Sequence, residues 1–185
     1  MFPSFLKRGL FRKTDPAVHA LYSRIIEKAR DPAFYASLGV PDTVDGRFDM
    51  IVLHAMLCLR RLRGQGAAAE TRGQELFDLM FKDMDQSLRE IGVGDMSVGK
   101  HIKRMAQAFY GRAEQAEAGL DAKLNDPAST ALELALCANV YRKAPPADGA
   151  IAAMQDYLIR ADRHVAAQAP AEIVAGRLDF AVPVA

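Results

Sequence analysis

Residues 94–100, Gly-Asp-Met-Ser-Val-Gly-Lys, fill the first seven places of the phosphate-binding pattern G-x-x-x-x-G-K-[ST]. In such a loop the backbone amides cradle a polyphosphate, the lysine neutralises it and the final hydroxyl ligates magnesium. Here the eighth place is His101, which has no hydroxyl. A phosphate loop also follows a buried strand, whereas the preceding run LFDLMFKDMDQSLREI repeats its apolar residues at helical spacing. A plainer reading accounts for the same residues: Gly92 ends one helix in the left-handed conformation and Ser97 caps the next. A nucleotide-binding enzyme using Gly94 to Lys100 is the enzymatic alternative, and its context speaks against it.

Asp83 and Asp85 are the other grouping that suggests chemistry, a carboxylate pair for acid–base or metal work. Two positions apart on a helix, side chains point about 160–200° away from each other, so these two diverge while the helix persists. Leu76, Phe77, Met80, Phe81, Met84, Leu88 and Ile91 define the apolar face between them. Leu79 lies off that stripe and is expected to be an exposed apolar contact. On the following helix Val98, Ile102, Met105, Phe109, Ala113 and Ala116 form a core stripe, with Lys100, Lys103 and Arg104 on the opposite side. That basic face is either simply solvated or a surface for an acidic partner, an RNA phosphate or anionic lipid. Gly111 in mid-helix costs about 1 kcal/mol relative to alanine, which suggests another backbone passing close by, with simple tolerance as the alternative.

His19, His54, His101 and His164 share no metal-ligand spacing with one another or with a cysteine, so no metal or cofactor is expected. His54, inside the most apolar helix, reads as a hydrogen-bonded core residue. No serine lies in a nucleophile-elbow context, and no cysteine adjoins a histidine. The 8 methionines, among them Met80, Met84, Met96 and Met105, cluster around the central helices as core filling or as an adaptable apolar groove.

The elements that must position these residues are helical. Asp15-Pro16 is a capping acid with proline at the first turn, and Val18, Leu21, Tyr22, Ile25 and Ala29 follow at helical spacing. Asp31-Pro32 breaks that helix, and a short turn follows to Gly39. Residues 47–63 hold the most apolar stretch, MIVLHAMLCL, then Arg60, Arg61 and Arg63, which suit the negative end of a helix dipole. A buried strand is the competing reading, and length with the Ala, Met and Leu content favours helix. Further helices are expected near 72–91, 97–122, 128–143 and 148–167, with GQGAAAETRG as a linker or frayed start. The tail IVAGRLDFAVPVA reads as one extended segment packed on the bundle, or as nothing regular.

With 185 residues, a net charge of +1 and 25% charged residues, the composition suits one soluble domain with no global field toward nucleic acid. Cys58 and Cys137 read as buried free thiols of a reducing compartment, and the cytoplasm is the expected location. Residues 1–13 carry Lys7, Arg8, Arg12 and Lys13 among phenylalanines and leucines. They form a basic and apolar segment for an anionic membrane surface, or a loosely ordered terminus. The expected architecture is all-α: a single compact bundle of about six or seven helices over residues 14–185, with a short extended C-terminal tail.

The ordered set Phe77, Asp83-Met84-Asp85, Leu88-Arg89-Glu90, Gly92-Val93-Gly94-Asp95, Val98-Gly99-Lys100, Lys103, Met105 and Phe109-Tyr110-Gly111 resembles the signature segment of the ubiquinol–cytochrome c chaperone family. DTVDGRFDMIVLHAMLCLRRL resembles the stretch that precedes it. The resemblance implies an all-helical, non-enzymatic assembly factor for respiratory complex III that acts on newly made cytochrome b, with no small-molecule substrate. Mitochondrial members associate with the ribosomal exit region, the inner membrane and a small partner protein. The lack of a long targeting extension makes this chain look bacterial, peripheral to the cytoplasmic face of the inner membrane. The expected partner surface is the corner and its flanks: Leu79, Asp83, Asp85, Arg89, Gly92, Gly94, Asp95, Lys100, Lys103, Arg104 and Tyr110. A helical RNA-binding or regulatory module is the remaining alternative.

Overall fold

The structure, a computed structural model, describes residues 15–142 and 146–183; the basic segment 1–13 lies outside them. Helix α1 (Pro16–Ala29) starts as its sequence directs, with the Asp15 carboxylate accepting from the Ala17 amide at 2.8 Å. Asp31-Pro32 repeats the device for the single turn α2 (Pro32–Ala36). Thr43 caps α3 (Val44–Leu62), its hydroxyl accepting from the Gly46 amide at 3.1 Å. Helix α3 is the central rod, packed against α1, α4 (Ala67–Glu90), α5 (Asp95–Asn125) and α7 (Ala150–Ala166). Residues 52–58 of α3 are buried on all sides, which is why its apolar pattern shows no polar face. Helix α6 (Ala131–Leu136) runs into a π-helical turn, Cys137–Tyr141, and α8 (Pro170–Val174) is again a single turn. Among the described residues there is no strand; the tail after α8 is irregular and buries Leu178 and Phe180.

Of the two readings of GQGAAAETRG, the helix start holds: α4 begins at Ala67, consistent with the run of alanines. Three sequence expectations change. The arginines ending α3 do more than face a dipole: Arg60 reaches Glu117 at 3.1 Å and Asp121 at 2.5 Å on α5, and Asp162 at 3.1 Å on α7. Arg63 also takes Glu117, at 2.8 Å, and Arg61 donates to the Gln168 carbonyl at 2.9 Å. The close backbone approach is at Gly119 rather than Gly111. A Cβ on Gly119 would stand 2.8 Å from the Leu132 Cα of α6, while nothing lies within 4 Å of one on Gly111. Cys58 is buried as expected, but Cys137 is only half-buried.

A histidine and an aspartate lie inside the core. His54 is fully buried, with Nδ1 2.7 Å from the Met50 carbonyl and Nε2 2.6 Å from the Tyr157 hydroxyl. A carbonyl only accepts, so Nδ1 carries the hydrogen and Nε2 accepts from Tyr157. Asp49, 2% exposed, accepts from Arg112 at 2.5 Å and Arg142 at 2.6 Å. Burial pushes the Asp49 carboxyl up to about 6 against the pull of both arginines, and burial draws the His54 imidazole down to about 4.

These shifts act on stability with opposite signs. A carboxyl raised from 3.8 stabilises the fold at low pH and loses that contribution as pH rises through about 6. An imidazole lowered from 6.5 contributes above that value and loses the contribution as pH falls through about 4. The Asp49→Asn variant should leave the His54 slope unopposed. Its stability to urea is expected to climb with pH more steeply than wild type between about 4 and 6. A slope equal to that of wild type would mean that Asp49 does not titrate in this range.

Candidate functional site: the α4–α5 corner

The last turn of α4 closes by a Schellman pair: the Gly92 amide donates to the Arg89 carbonyl at 3.0 Å and the Val93 amide to the Leu88 carbonyl at 3.0 Å. Gly92 supplies the left-handed backbone this requires, with φ +87°. Only Val93 and Gly94 remain before α5. Gly94 is the cap residue, extended at φ −61° and ψ 145°. Ser97 is not the cap that was expected, because its amide already donates to the Gly94 carbonyl at 2.8 Å. Asp95 enters α5 at its positive end, where an acid is favoured.

Arg89 fastens the corner. Its guanidinium takes Asp85 at 2.7 Å, one turn earlier on α4, and also Asp95 across the turn. Asp83 points elsewhere and accepts from the Tyr22 hydroxyl of α1 at 2.8 Å. The two aspartates thus diverge as their spacing requires. Burial, reinforced by Asp83, raises the Tyr22 phenol well above its ordinary value.

The side of α4 that carries Asp83 faces α1, and that accounts for Leu79. One turn earlier on the same side, Leu79 is 8% exposed and belongs to the core, so it is not the exposed contact expected of it. A helical wheel drawn for one covered face misses the second covering helix. The exposed apolar residues of the turn are Ile91, which the pattern assigned to the core stripe, and Met96, read as core filling or as part of an adaptable apolar groove. Ile91 is 77% exposed and Met96 is 100% exposed, because the neighbouring helices do not cover the apex of the turn.

Lys100, Lys103 and Arg104 are exposed, and none forms an ion pair among the described residues. Tyr110 is half-exposed, its ring 5.2 Å from that of Phe77. Gly92 and Gly94 are exposed, with open space where a side chain would stand. The structure therefore brings Asp85, Arg89, Gly92, Gly94 and Asp95 into one corner. Lys100, Lys103 and Arg104 lie along the outer side of α5, Tyr110 lies further along it, and Leu79 is removed from the surface.

Chemically the corner offers exposed apolar and charged side chains on a fixed turn. Residues 95–100 are α-helical, so the amides at Val98, Gly99 and Lys100 serve the helix and do not form a phosphate cradle. Among the described residues no three His, Cys, Asp or Glu side chains gather as a metal site. The Cys58 thiol is pushed up to about 12 by burial, far from thiolate chemistry. A shallow groove of about 630 Å³ between α1 and the tail is lined by Arg24–Asp179 and Arg177–Glu172 ion pairs, distant in sequence from the corner. No helix among the described residues is long and apolar enough to cross a membrane.

Residues 36–180 match the ubiquinol-cytochrome C chaperone family. Ninety residues are 27% identical to ubiquinol-cytochrome c reductase complex assembly factor 1 of Mus musculus, covering 49% of this chain and 30% of that protein. The Xenopus laevis counterpart is 23% identical over the same length, with 45% of it covered. The chain thus matches less than half the length of these curated relatives. The crystal structure of the Cbp3 homolog from Brucella abortus superposes with a TM-score of 0.79 and 34% identity, covering 91% of both chains.

Proposed function

Because the chain belongs to the ubiquinol-cytochrome C chaperone family, we propose that it is an assembly chaperone for respiratory complex III, ubiquinol–cytochrome c reductase. In this reading it binds newly made cytochrome b without catalysing a reaction, and works at the cytoplasmic face of the membrane into which that client is inserted. The observation that carries the reading is the exposed apolar apex of the α4–α5 corner, Ile91 and Met96, inside the stretch that most resembles the family. A chaperone for an apolar client needs exposed apolar side chains on a rigid support, and the Arg89 clasp and the Schellman turn provide that support.

A photoreactive amino acid at Met96, introduced into the full chain in respiring cells, is expected to crosslink to cytochrome b. Deleting the gene should lower assembled complex III and the b-type haem spectrum. Unchanged complex III together with no cytochrome b adduct would sink the proposal.

A further inference from the structure

We infer that the α4–α5 corner docks on an anionic phospholipid surface, with Ile91 and Met96 entering the interface and Lys100, Lys103 and Arg104 meeting the headgroup phosphates. This deepens the proposed role by giving the same corner a lipid partner beside its protein client.

The first support is position. Met96, Lys100 and Lys103 recur at helical spacing on the side of α5 opposite its buried stripe, and Arg104 adjoins them. All four are exposed. From Met96 to Ala113 the chain has no acidic residue. The remaining arginine of that stretch, Arg112, is turned inward onto Asp49 at 2.5 Å. What α5 presents outward is therefore a fully exposed thioether followed by three cations, and no acid of the described residues neutralises them.

The acids near the apex are mostly engaged. Asp85 and Asp95 share Arg89, and Asp83 accepts from Tyr22. Glu90 takes the Gln86 amide at 2.9 Å and has no cation, so it opposes docking.

The second support is shape. The apolar residues sit on a convex turn and not in a groove, with open space around Gly92, Gly94 and Gly99. A bilayer interface admits a convex apolar tip directly, with no preformed socket. The third support is depth. At about 1.5 Å per residue, Lys100 lies about 6 Å and Lys103 and Arg104 about 10–12 Å back from Met96 along α5. Apolar faces of interfacial segments sink about 5–10 Å into the headgroup and acyl boundary. Met96 at that depth leaves the three cations among the phosphates, where each contributes to binding in proportion to the anionic lipid present.

The test is flotation of the full chain with vesicles of phosphatidylcholine alone and of phosphatidylcholine mixed with phosphatidylglycerol. Wild type is expected to float with the mixed vesicles and to be released by salt. Lys100→Gln, Lys103→Gln and Arg104→Gln together should weaken that binding on the order of a hundredfold. Ile91→Ser with Met96→Ser should weaken it roughly tenfold while keeping its salt dependence. Circular dichroism of each variant should match wild type. No binding by wild type overturns the inference. So does binding by both variants equal to wild type, which would assign it to another surface, including residues 1–13. Loss by both variants of an acidic polypeptide but not of vesicles overturns it too, in favour of a protein partner. A cytochrome b adduct at Met96 without vesicle binding removes the lipid inference and leaves the chaperone reading standing. Vesicle binding with unchanged complex III after gene deletion and no cytochrome b adduct does the reverse.

Discussion

Gly119→Ala is expected to destabilise the bundle by about 1–3 kcal/mol in urea denaturation, although alanine is the better helix former. The new methyl would stand 2.8 Å from the Leu132 Cα and 3.0 Å from the Leu132 nitrogen. Those are backbone atoms, which do not rotate aside. Relief requires α6 to move off α5, and Leu132 and Leu136, both fully buried, move with it. The same substitution at Gly111, on the same helix, should raise stability by up to about 1 kcal/mol, because nothing lies within 4 Å of its Cβ. Opposite signs at two glycines of one helix separate close packing from helix propensity. If both substitutions stabilise, α5 and α6 are not in backbone contact.

Arg60→Met should cost about 2–3 kcal/mol at neutral pH, a figure discounted because Arg60 is 26% and Asp121 is 48% exposed. Among the described residues Arg60 alone holds Asp121 and Asp162, and it shares Glu117 with Arg63. Its removal leaves three carboxylates facing one another between α3, α5 and α7. Burial already raises the Asp162 carboxyl above its usual range, and Arg60 is the charge that pulls it back. Without that charge the folded-state value rises further above the unfolded one. A carboxyl raised in this way favours the fold at low pH and loses its contribution as pH climbs through the raised value. The deficit of the variant against wild type is therefore expected to be smallest near pH 4 and to widen toward neutrality. A deficit independent of pH would show that the arginine stem, through packing, is what matters.

How much of this was readable in the chain depended on the range of the cause. The starts of α1 and α2 were legible because their causes lie within a few residues: Asp15-Pro16 and Asp31-Pro32 act on their own first turns. His54 was legible as a core residue because its whole surroundings in the sequence are apolar. The left-handed Gly92 and the divergence of Asp83 from Asp85 follow from local geometry in the same way. Leu79 and Ile91 were misplaced, and Met96 was left open between core and groove, because exposure is decided by what other helices cover. A wheel gives directions around α4, but not that α1 lies over the Leu79 side or that the apex of the turn is left uncovered. Gly111 and Gly119 look alike in sequence. Only the path of α6 tells them apart. The family resemblance was readable from an ordered set of residues, and the similarity over 36–180 agrees with it; the residues that contact a partner remain proposals.

The seam between α1 and the tail bears on the order in which the chain acquires structure. Arg24 of α1 donates to the Leu178 carbonyl at 3.2 Å and pairs with Asp179 at 2.8 Å, across 154 and 155 positions of sequence. Gly176, at φ +87°, lets the tail backbone lie against Ala17, where a Cβ would meet Ala17 Cα at 2.8 Å. During synthesis from the N-terminus, at about 5–20 residues per second, α1 emerges many seconds before its neighbour exists. One flank of α1 thus waits unclosed while the ribosome adds every helix between. The bundle is sealed only after translation has passed residue 179, so a chain stalled earlier should remain sensitive to proteases at α1.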